Sequence, residues 1–557
     1  MKIKRVNGQL ESLGQQHFVT EGGEGAIYTK AGVGFKIYHS PENCISASKV
    51  LELSHVNEPN FLRPLSRIWN LRGDPIGYEM QFVDQTVSLT RLISNGFKKK
   101  HRLDTTQIYQ ILMQISELMN RVHAKSIHIV DLHSDNILIS RDFQTVYFVD
   151  VDSYQTPMHP ATAQLDLIRD PLATSWNEKS DRYAFAILAV QLLMGIHPFK
   201  GKHPQIKGIK NRMQAGISVF HSSVSLPPSC FLPSSIEPVL RQWFIDTLEK
   251  GQRAPVPQRV LSQRTVFTQP SADPVLSQRV QSRALCDVEE SILLHAYQGG
   301  RRILVGPEYC FIDGVKHCPT PGIPLSIVAN PSPILVFKDG GTLGIFDIAG
   351  QRKIESSCAF QEMDCSGNRM YGVLGDKLVQ LTFHQTGAGI WLSYQVVSTV
   401  MRYASSLFEG VLIQNILGSM YVSLLRGRDG VVQVLVPELK GAKIVEARFR
   451  HRLLIVNRLE RGVYRQDTIL FSADFCSYDY QTAVTESFES LNFVAMPNGV
   501  SVHLLYDGRL VLRSPMRGEA SKRIEDTGLS GKESLFVEER LLCAKGTVLH
   551  RLRMANP

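Results

Sequence analysis

The sequence predicts a multidomain chain in which an α+β half is followed by an all-β half. Three observations predict it. A length of 557 residues exceeds what one hydrophobic core organises. Gly-rich and strand-like segments near the start give way to helical periodicity that runs to about residue 255. Beyond about residue 286, short apolar runs and Asx-Gly turns recur with hardly any helical pattern. The expected boundaries are an N-terminal extension at 1–11, a first domain at 12–255, a linker at 256–285 and an all-β domain at 286–557.

Composition excludes several classes. Apolar content of 43%, charged content of 20% and aromatic content of 8% fit a globular chain and not a disordered one. The net charge of +9 is a mild excess, because 61 Lys and Arg are accompanied by 52 Asp and Glu. The densest basic run, Lys98-Lys99-Lys100-His101-Arg102, has no interleaved aromatics for base stacking. We expect a solvated loop there and no nucleic-acid partner. Nine cysteines without a Cys-x-x-Cys pair imply neither a zinc site nor a disulfide framework. No apolar stretch follows the charged start at Met1-Lys2, and the longest apolar segment, 184–196, is shorter than the roughly 20 residues that span a bilayer. A cytoplasmic location without a membrane span is the expectation.

The elements follow in chain order. Thr20-Glu21-Gly22-Gly23-Glu24-Gly25-Ala26-Ile27-Tyr28 is a glycine-rich turn between strand-like flanks. Its glycines Gly22, Gly23 and Gly25 allow close backbone approach to a phosphate, or simply a hairpin turn. Val33-Gly34-Phe35-Lys36-Ile37-Tyr38 reads as the next strand, and the short interval from Ile27 to Lys36 implies a tight hairpin. A lysine among apolar strand residues needs an anionic partner. Gly77-Tyr78-Glu79-Met80-Gln81-Phe82-Val83 is a further strand. Apolar residues at 108, 111, 112, 115, 118, 119 and 122 make a stripe of helical period. Ile137-Leu138-Ile139 and Val146-Tyr147-Phe148-Val149 flank a polar turn and read as a hairpin, which brings Asn136 and Asp150 together. Asp181 stands at the start of the most apolar helical segment, where a carboxylate suits the N-terminal end of a helix.

From about residue 254 to 285, Ala-Pro-Val-Pro, Gln-Pro-Ser-Ala-Asp-Pro and two copies of Val-Leu-Ser-Gln-Arg, at 260–264 and 275–279, mark a tether. The later strand pairs recur every 35 to 47 residues or so, including 334–346, 371–383, 411–424, 453–471, 502–512 and 541–553. A β-propeller of six or seven blades fits this spacing, with a pair of β-sandwiches as the alternative.

The chemistry concentrates in Val130-Asp131-Leu132-His133-Ser134-Asp135-Asn136 and Asp150-Val151-Asp152. Asp131 can accept a hydroxyl proton, and Asn136 with Asp150 can hold a divalent metal on a triphosphate. Taken with the segments above in this order, residues 12–255 resemble the protein-kinase superfamily. Gly-Gly-Glu-Gly-Ala-Ile-Tyr, Asp-Val-Asp-Ser-Tyr-Gln and Met194-Gly195-Ile196-His197-Pro198-Phe199 are similar to a bacterial branch of it. The resemblance implies a bilobal α+β fold, ATP with Mg2+ (Mn2+ as a substitute) and transfer to Ser or Thr of protein substrates. It also implies roles. Gly22, Gly23, Gly25 and Lys36 would hold phosphates, Ile27 would cover the adenine, and Met80 would be the gatekeeper beside Gln81 and Val83. Asp181 would brace the catalytic loop, and Arg253 would pair with Glu178 or Asp170. Glu52, rather than Glu42, would pair with Lys36. A metal-dependent protein phosphatase and a von Willebrand type-A protein are the implied partners.

The chain departs from the pattern at four points. Thr20 replaces the first glycine of the loop. Val130 stands in place of Arg, which removes the cationic pocket for a phosphorylated activation loop. His133 stands where a lysine contacts the γ-phosphate. Asp152 replaces a glycine, as a third metal ligand or, on the preferred reading, as a loop residue. Two rival functions stay open: a pseudokinase scaffold that binds nucleotide without transfer, and a small-molecule phosphotransferase. In the kinase reading the all-β domain recruits substrates or partners.

Overall fold

The computed structural model describes residues 1–257, 267, 279–329, 331–339, 342–387, 389–427, 430–516 and 518–554. The two Val-Leu-Ser-Gln-Arg copies lie outside the described residues, except for Arg279.

The chain opens with seven antiparallel strands: β1 (Lys2–Lys4), β2 (Leu10–Ser12), β3 (Phe18–Glu21), β4 (Gly25–Lys30), β5 (Val33–Tyr38), β6 (Ser66–Trp69) and β7 (Pro75–Gln81). They form one sheet in the order β2-β1-β6-β7-β5-β4-β3. Residues 1–11, expected as an extension, therefore contribute an edge hairpin to this sheet. Ala31 and Gly32, at φ 49° and 78°, make the two-residue turn between β4 and β5, where Lys30 pairs with Val33. Positive φ at both central positions matches the twist of the strands, and it is the tight hairpin expected before Lys36. Gly77 is required by packing: a Cβ there would overlap the Lys36 carbonyl on the neighbouring strand.

Helix α1 (Ala47–Leu53) lies between β5 and β6. The following region contains α2 (Asn95–Lys100), α3 (Thr105–His123), α4 (Glu178–Met194), α5 (Ile209–Ala215) and α6 (Pro238–Leu248), with a small sheet of β8 (Thr86–Ser88), β9 (Ile137–Ser140) and β10 (Val146–Phe148). The helical stripe expected near 108–122 is α3, capped reciprocally by Asp104 and Gln107. The expected hairpin is β9–β10, with Ile139 opposite Val146 and Ile137 opposite Phe148. Helix α4 is buried almost all round, because other elements cover every face of it, which explains its lack of a polar stripe. Among the described residues, no helix is long and apolar enough to cross a membrane.

Among its described residues, the C-terminal region is built of seven four-stranded antiparallel sheets. Six are built from consecutive strands. The seventh joins Val280–Asp287 to the last three strands, Ser534–Val537, Leu541–Lys545 and Val548–Met554. Val280 to Leu285, expected as linker, are therefore part of a sheet that ties the two ends of this region together. Within each sheet the second strand carries continuous buried runs, such as Ile334-Leu335-Val336-Phe337 and Leu453 to Leu459. Neighbouring sheets cover both faces of these strands, so apolar and polar residues need not alternate.

The β region packs on the helices. Val445, Leu459, Tyr464 and Phe488 belong to the same buried cluster as α3 and α4. The Tyr464 hydroxyl accepts a 2.8 Å bond from Gln191 Nε2 of α4, and Lys200 Nζ stands 4.4 Å from the Tyr464 ring centre. The basic run at 98–102 is not a loop: it starts in α2, Lys98 is buried, and Lys99 and Lys100, although exposed as expected, take part in this contact. Lys100 Nζ is 3.0 Å from Asp364 Oδ2, Lys99 Nζ reaches the Lys532 carbonyl and Arg102 reaches the Pro307 carbonyl. Ser94 donates to Glu446, and Arg91 donates to the Val445 carbonyl. One short segment thus meets several sheets through charges that the β region answers with acids and carbonyls.

Lys98 is fully buried. Its Nζ donates to the Leu192 carbonyl at 2.6 Å and lies 5.0 Å from the Phe231 ring and 5.3 Å from that of Phe267. Burial pushes its ammonium from 10.5 down to about 7. The unfolded chain keeps this proton to about pH 10.5, whereas the folded chain releases it near 7. Between those values the unfolded state binds more protons, so rising pH stabilises the fold at this site, and the burial penalty is largest below pH 7. Lys98→Met is expected to raise the melting temperature relative to the parent most at pH 6, with the gap narrowing towards pH 10. A gap that does not change with pH would contradict the buried-ammonium account.

Candidate active site

The site lies between the large sheet and the helices. Lys36 points from β5 into the interior, where Nζ is 2.6 Å from Asp150 Oδ1 and 2.7 Å from Asp152 Oδ2. Glu24, in the glycine-rich turn, brings Oε2 to 3.6 Å. Asp152 is buried and also accepts Tyr38 OH at 2.6 Å and Tyr78 OH at 2.7 Å. Burial acts to lower the Lys36 pKa, but the two carboxylates outweigh it and hold the ammonium above its ordinary range. Burial acts to raise Asp152, and Lys36 with the two phenols overcomes it, so this carboxyl stays below its usual range. Asp150 is pushed up by burial and by the Asp152 charge beside it.

The loop before β9 carries the second group. Asp131 Oδ1 accepts the Leu165 amide at 2.8 Å, and Oδ2 lies 3.1 Å from His133 Nε2. Burial raises Asp131, but the hydrogen bond and charge of His133 prevail and hold it below its ordinary value. Burial lowers His133, and Asp131 more than reverses that. Asn136 Nδ2 donates to the Asp131 carbonyl at 3.0 Å, and the Val149 amide donates to the Asn136 carbonyl at 3.0 Å. The β9–β10 hairpin therefore fixes Asn136 beside the residue preceding Asp150.

Two residues of this site hold unusual backbone conformations. Val130 has φ 66° and Asp150 has φ 58°. Left-handed backbone is costly for a β-branched residue and persists only where the surroundings enforce it. Asp181 supplies that enforcement: buried at the start of α4, it accepts the Ile129 and Val130 amides at 2.8 and 2.9 Å and His123 Nε2 at 2.8 Å. Arg253 makes a bidentate pair with Asp170, at 2.6 and 2.7 Å, while Glu178 pairs with Arg182. The pair ties residues after α6 to the segment before α4.

The remaining sequence-derived candidates fall around this cluster. Gly22 and Gly25 close the turn through a 2.9 Å backbone bond, and Gly23 lies at its exposed tip. Ile27 stands opposite Lys36 in the β4–β5 register. Met80 is buried on β7 opposite Gly34, Gln81 is exposed and Val83 is half-buried.

Glu52 corrects the expectation. It does not meet Lys36; its Oε2 accepts Thr156 Oγ1 at 2.5 Å and pairs with His159 Nδ1 at 2.8 Å. Helix α1 spans only seven residues and turns this carboxylate to the segment after Asp152. Asp152 meets the need of Lys36 instead. Glu24, Asp150 and Asp152 bring oxygens within 4.8 Å of one another, but the Asp152 oxygens are engaged by Lys36, Tyr38 and Tyr78. Sequence reading missed Tyr38 and Tyr78. The available signal was alternation, because Tyr38 follows Lys36 by two on β5 and shares its face.

No family model matches the sequence. A probable serine/threonine-protein kinase of Dictyostelium discoideum is 28% identical over 147 residues, which is 23% of this chain and 10% of that protein. The chain thus spans about a tenth of the length of this relative. The solved kinase PK-1 of Cydia pomonella granulovirus shares 16% identity, with coverage of 36% of this chain and 77% of that one, at a TM-score of 0.29. The match to the Dictyostelium protein is a weak homology to a kinase and supports a protein-kinase-like fold for the first part of the chain.

Proposed function

We propose that this chain is an ATP- and magnesium-dependent phosphotransferase acting on Ser or Thr hydroxyls of proteins. The observation that carries the reading is the convergence of Lys36 and Asp150 with the Asp131–Asn136 loop, which Asp181 holds in a strained conformation. The donor set fits the cofactors. Asn136 directs Nδ2 to the Asp131 carbonyl, which leaves Oδ1 for a ligand, and Asp150 commits Oδ1 to Lys36. A carboxamide oxygen and a carboxylate are hard donors suited to Mg2+. ATP would supply the transferable phosphoryl group, held by Lys36 and the Gly22–Gly25 backbone with magnesium on Asn136 and Asp150.

Asp131 orients the attacking hydroxyl and accepts its proton. Because His133 keeps Asp131 a weak base, the proton moves late, as suits a loose transition state with little need for a strong nucleophile. His133 contributes positive charge near the transferred group while it stays protonated. The segment from Asp150 to α4 is held through Leu165, Glu52 and Asp170, which supports a site assembled without loop phosphorylation.

The C-terminal region is read here as a seven-bladed β-propeller. The seven sheets, and the strand from 280 to 287 that completes the last of them, support it. Substrate recruitment falls to those of its surfaces that residues 91–102 and the helices leave uncovered. A cytoplasmic location and partnership with a metal-dependent phosphatase and a von Willebrand type-A protein are part of the same proposal, open to co-purification. The test of the central claim is incubation of the purified full-length chain with γ-labelled ATP, Mg2+ and a protein lysate whose kinases have been inactivated. Label on Ser or Thr is the expected result. Nucleotide binding without transfer to protein or small molecule would leave a scaffold instead.

A further inference from the structure

Lys36 has two acidic contacts within hydrogen-bond distance, and they differ in kind. Asp150 is half-exposed and is the acid proposed to turn to magnesium. Asp152 is buried, and its two oxygens receive three donors: Lys36 Nζ, Tyr38 OH and Tyr78 OH, all at 2.6 to 2.7 Å. Such saturation leaves Asp152 little capacity to bind anything else and fixes its carboxylate from two strands at once. The register explains the geometry. Tyr78 stands directly opposite Lys36 on β7, and Tyr38 follows two residues on along β5. Meanwhile Glu52, the only acid in α1, is spent on Thr156 and His159.

From this arrangement, and resting on the kinase reading above, we propose that Asp152 is the positioning residue for the phosphate-binding lysine. The buried Tyr38-Asp152-Tyr78 bridge does what a helix acid does elsewhere on this fold. The device differs in one consequence. The lysine anchor and the proposed metal ligand sit two residues apart on one segment, so closing that segment assembles both, and a movement of α1 does not release the lysine. Glu52 then serves a separate purpose, clamping residues 156–159 to α1.

The experiment titrates full-length protein with a fluorescent ATP analogue in Mg2+ and measures kcat and KM for ATP. Asp152→Asn is expected to weaken nucleotide binding and raise KM about tenfold to a hundredfold, with a smaller change in kcat. Tyr38→Phe and Tyr78→Phe each remove one donor at constant shape, and a rise of about threefold is expected for each. Glu52→Gln is expected to leave binding within about twofold. Should Asp152→Asn not fold, the two Tyr→Phe variants carry the test. Nucleotide affinity unchanged by loss of the Asp152 charge or of the phenols, or lost in Glu52→Gln, would overturn the assignment. Lys36→Ala distinguishes the two levels: if it too leaves nucleotide binding unchanged, the kinase reading fails and not merely the role of Asp152.

Discussion

Asp131→Asn is expected to lower phosphate transfer about a hundredfold to ten-thousandfold while leaving nucleotide affinity and melting temperature near those of the parent. The amide keeps the shape of the carboxylate and one oxygen that can still accept the Leu165 amide, so the backbone of the loop has no reason to move. What disappears is the proposed acceptor for the hydroxyl proton and the negative charge that raises the His133 pKa. Asp150→Asn tests the other half of the site. It is expected to weaken metal affinity about tenfold to a hundredfold, visible as a raised Mg2+ requirement. Parent-like turnover by Asp131→Asn at saturating ATP would remove the proton-acceptor role. An unchanged Mg2+ requirement in Asp150→Asn would remove the metal role.

The second large effect lies about Tyr464. Tyr464→Ala is expected to cost about 3 to 5 kcal/mol of stability, since it empties a fully buried aromatic site between the β region and α4. It also strips Gln191 Nε2 of its partner and takes the ring from beneath Lys200. Tyr464→Phe keeps the ring and removes only the hydroxyl, so about 1 to 2 kcal/mol is expected from the unpaired Gln191 amide. Urea unfolding measures both. If the two halves are held as one unit, the alanine variant either shifts a single transition strongly or splits it in two. A single transition displaced by less than about 1 kcal/mol would show that this contact contributes little to holding the halves together.

Much of the local structure was legible before any coordinates. The 108–122 stripe is α3 because its apolar residues all meet one packed face. The Ile137-Leu138-Ile139 and Val146-Tyr147-Phe148 runs pair as β9 and β10 because a polar turn of suitable length separates them. The short step from Ile27 to Lys36 closes through Ala31 and Gly32 because only a turn with positive φ at both positions fits. These features depend on residues near one another in the chain, whose spacing records the geometry directly.

The misreadings have a common origin. Glu52 was assigned to Lys36 by its distance along the chain, but the direction of a seven-residue helix depends on what it packs against, and α1 faces the 156–159 segment. The contacts of the basic run at 98–102 went unread because its answering groups, Asp364, Pro307 and Lys532, are hundreds of residues away. Residues 2–11 and 280–285 looked like an extension and a tether because their strand partners are remote or at the far end of the chain. Single-residue patterns do not encode such pairings.

By itself the sequence determined the local elements and the chemical types near the site: an Asp, an Asn and an Asp on one loop and hairpin, and a lysine on a strand that needs an anion. Only the tertiary structure decided which anion. Asp152 lies 116 residues beyond Lys36 and meets it because two tyrosines on adjacent strands hold the carboxylate there. The physical reason is that a charge removed from water must be paired, and the partner is whichever acid the packed chain carries into the same dry space.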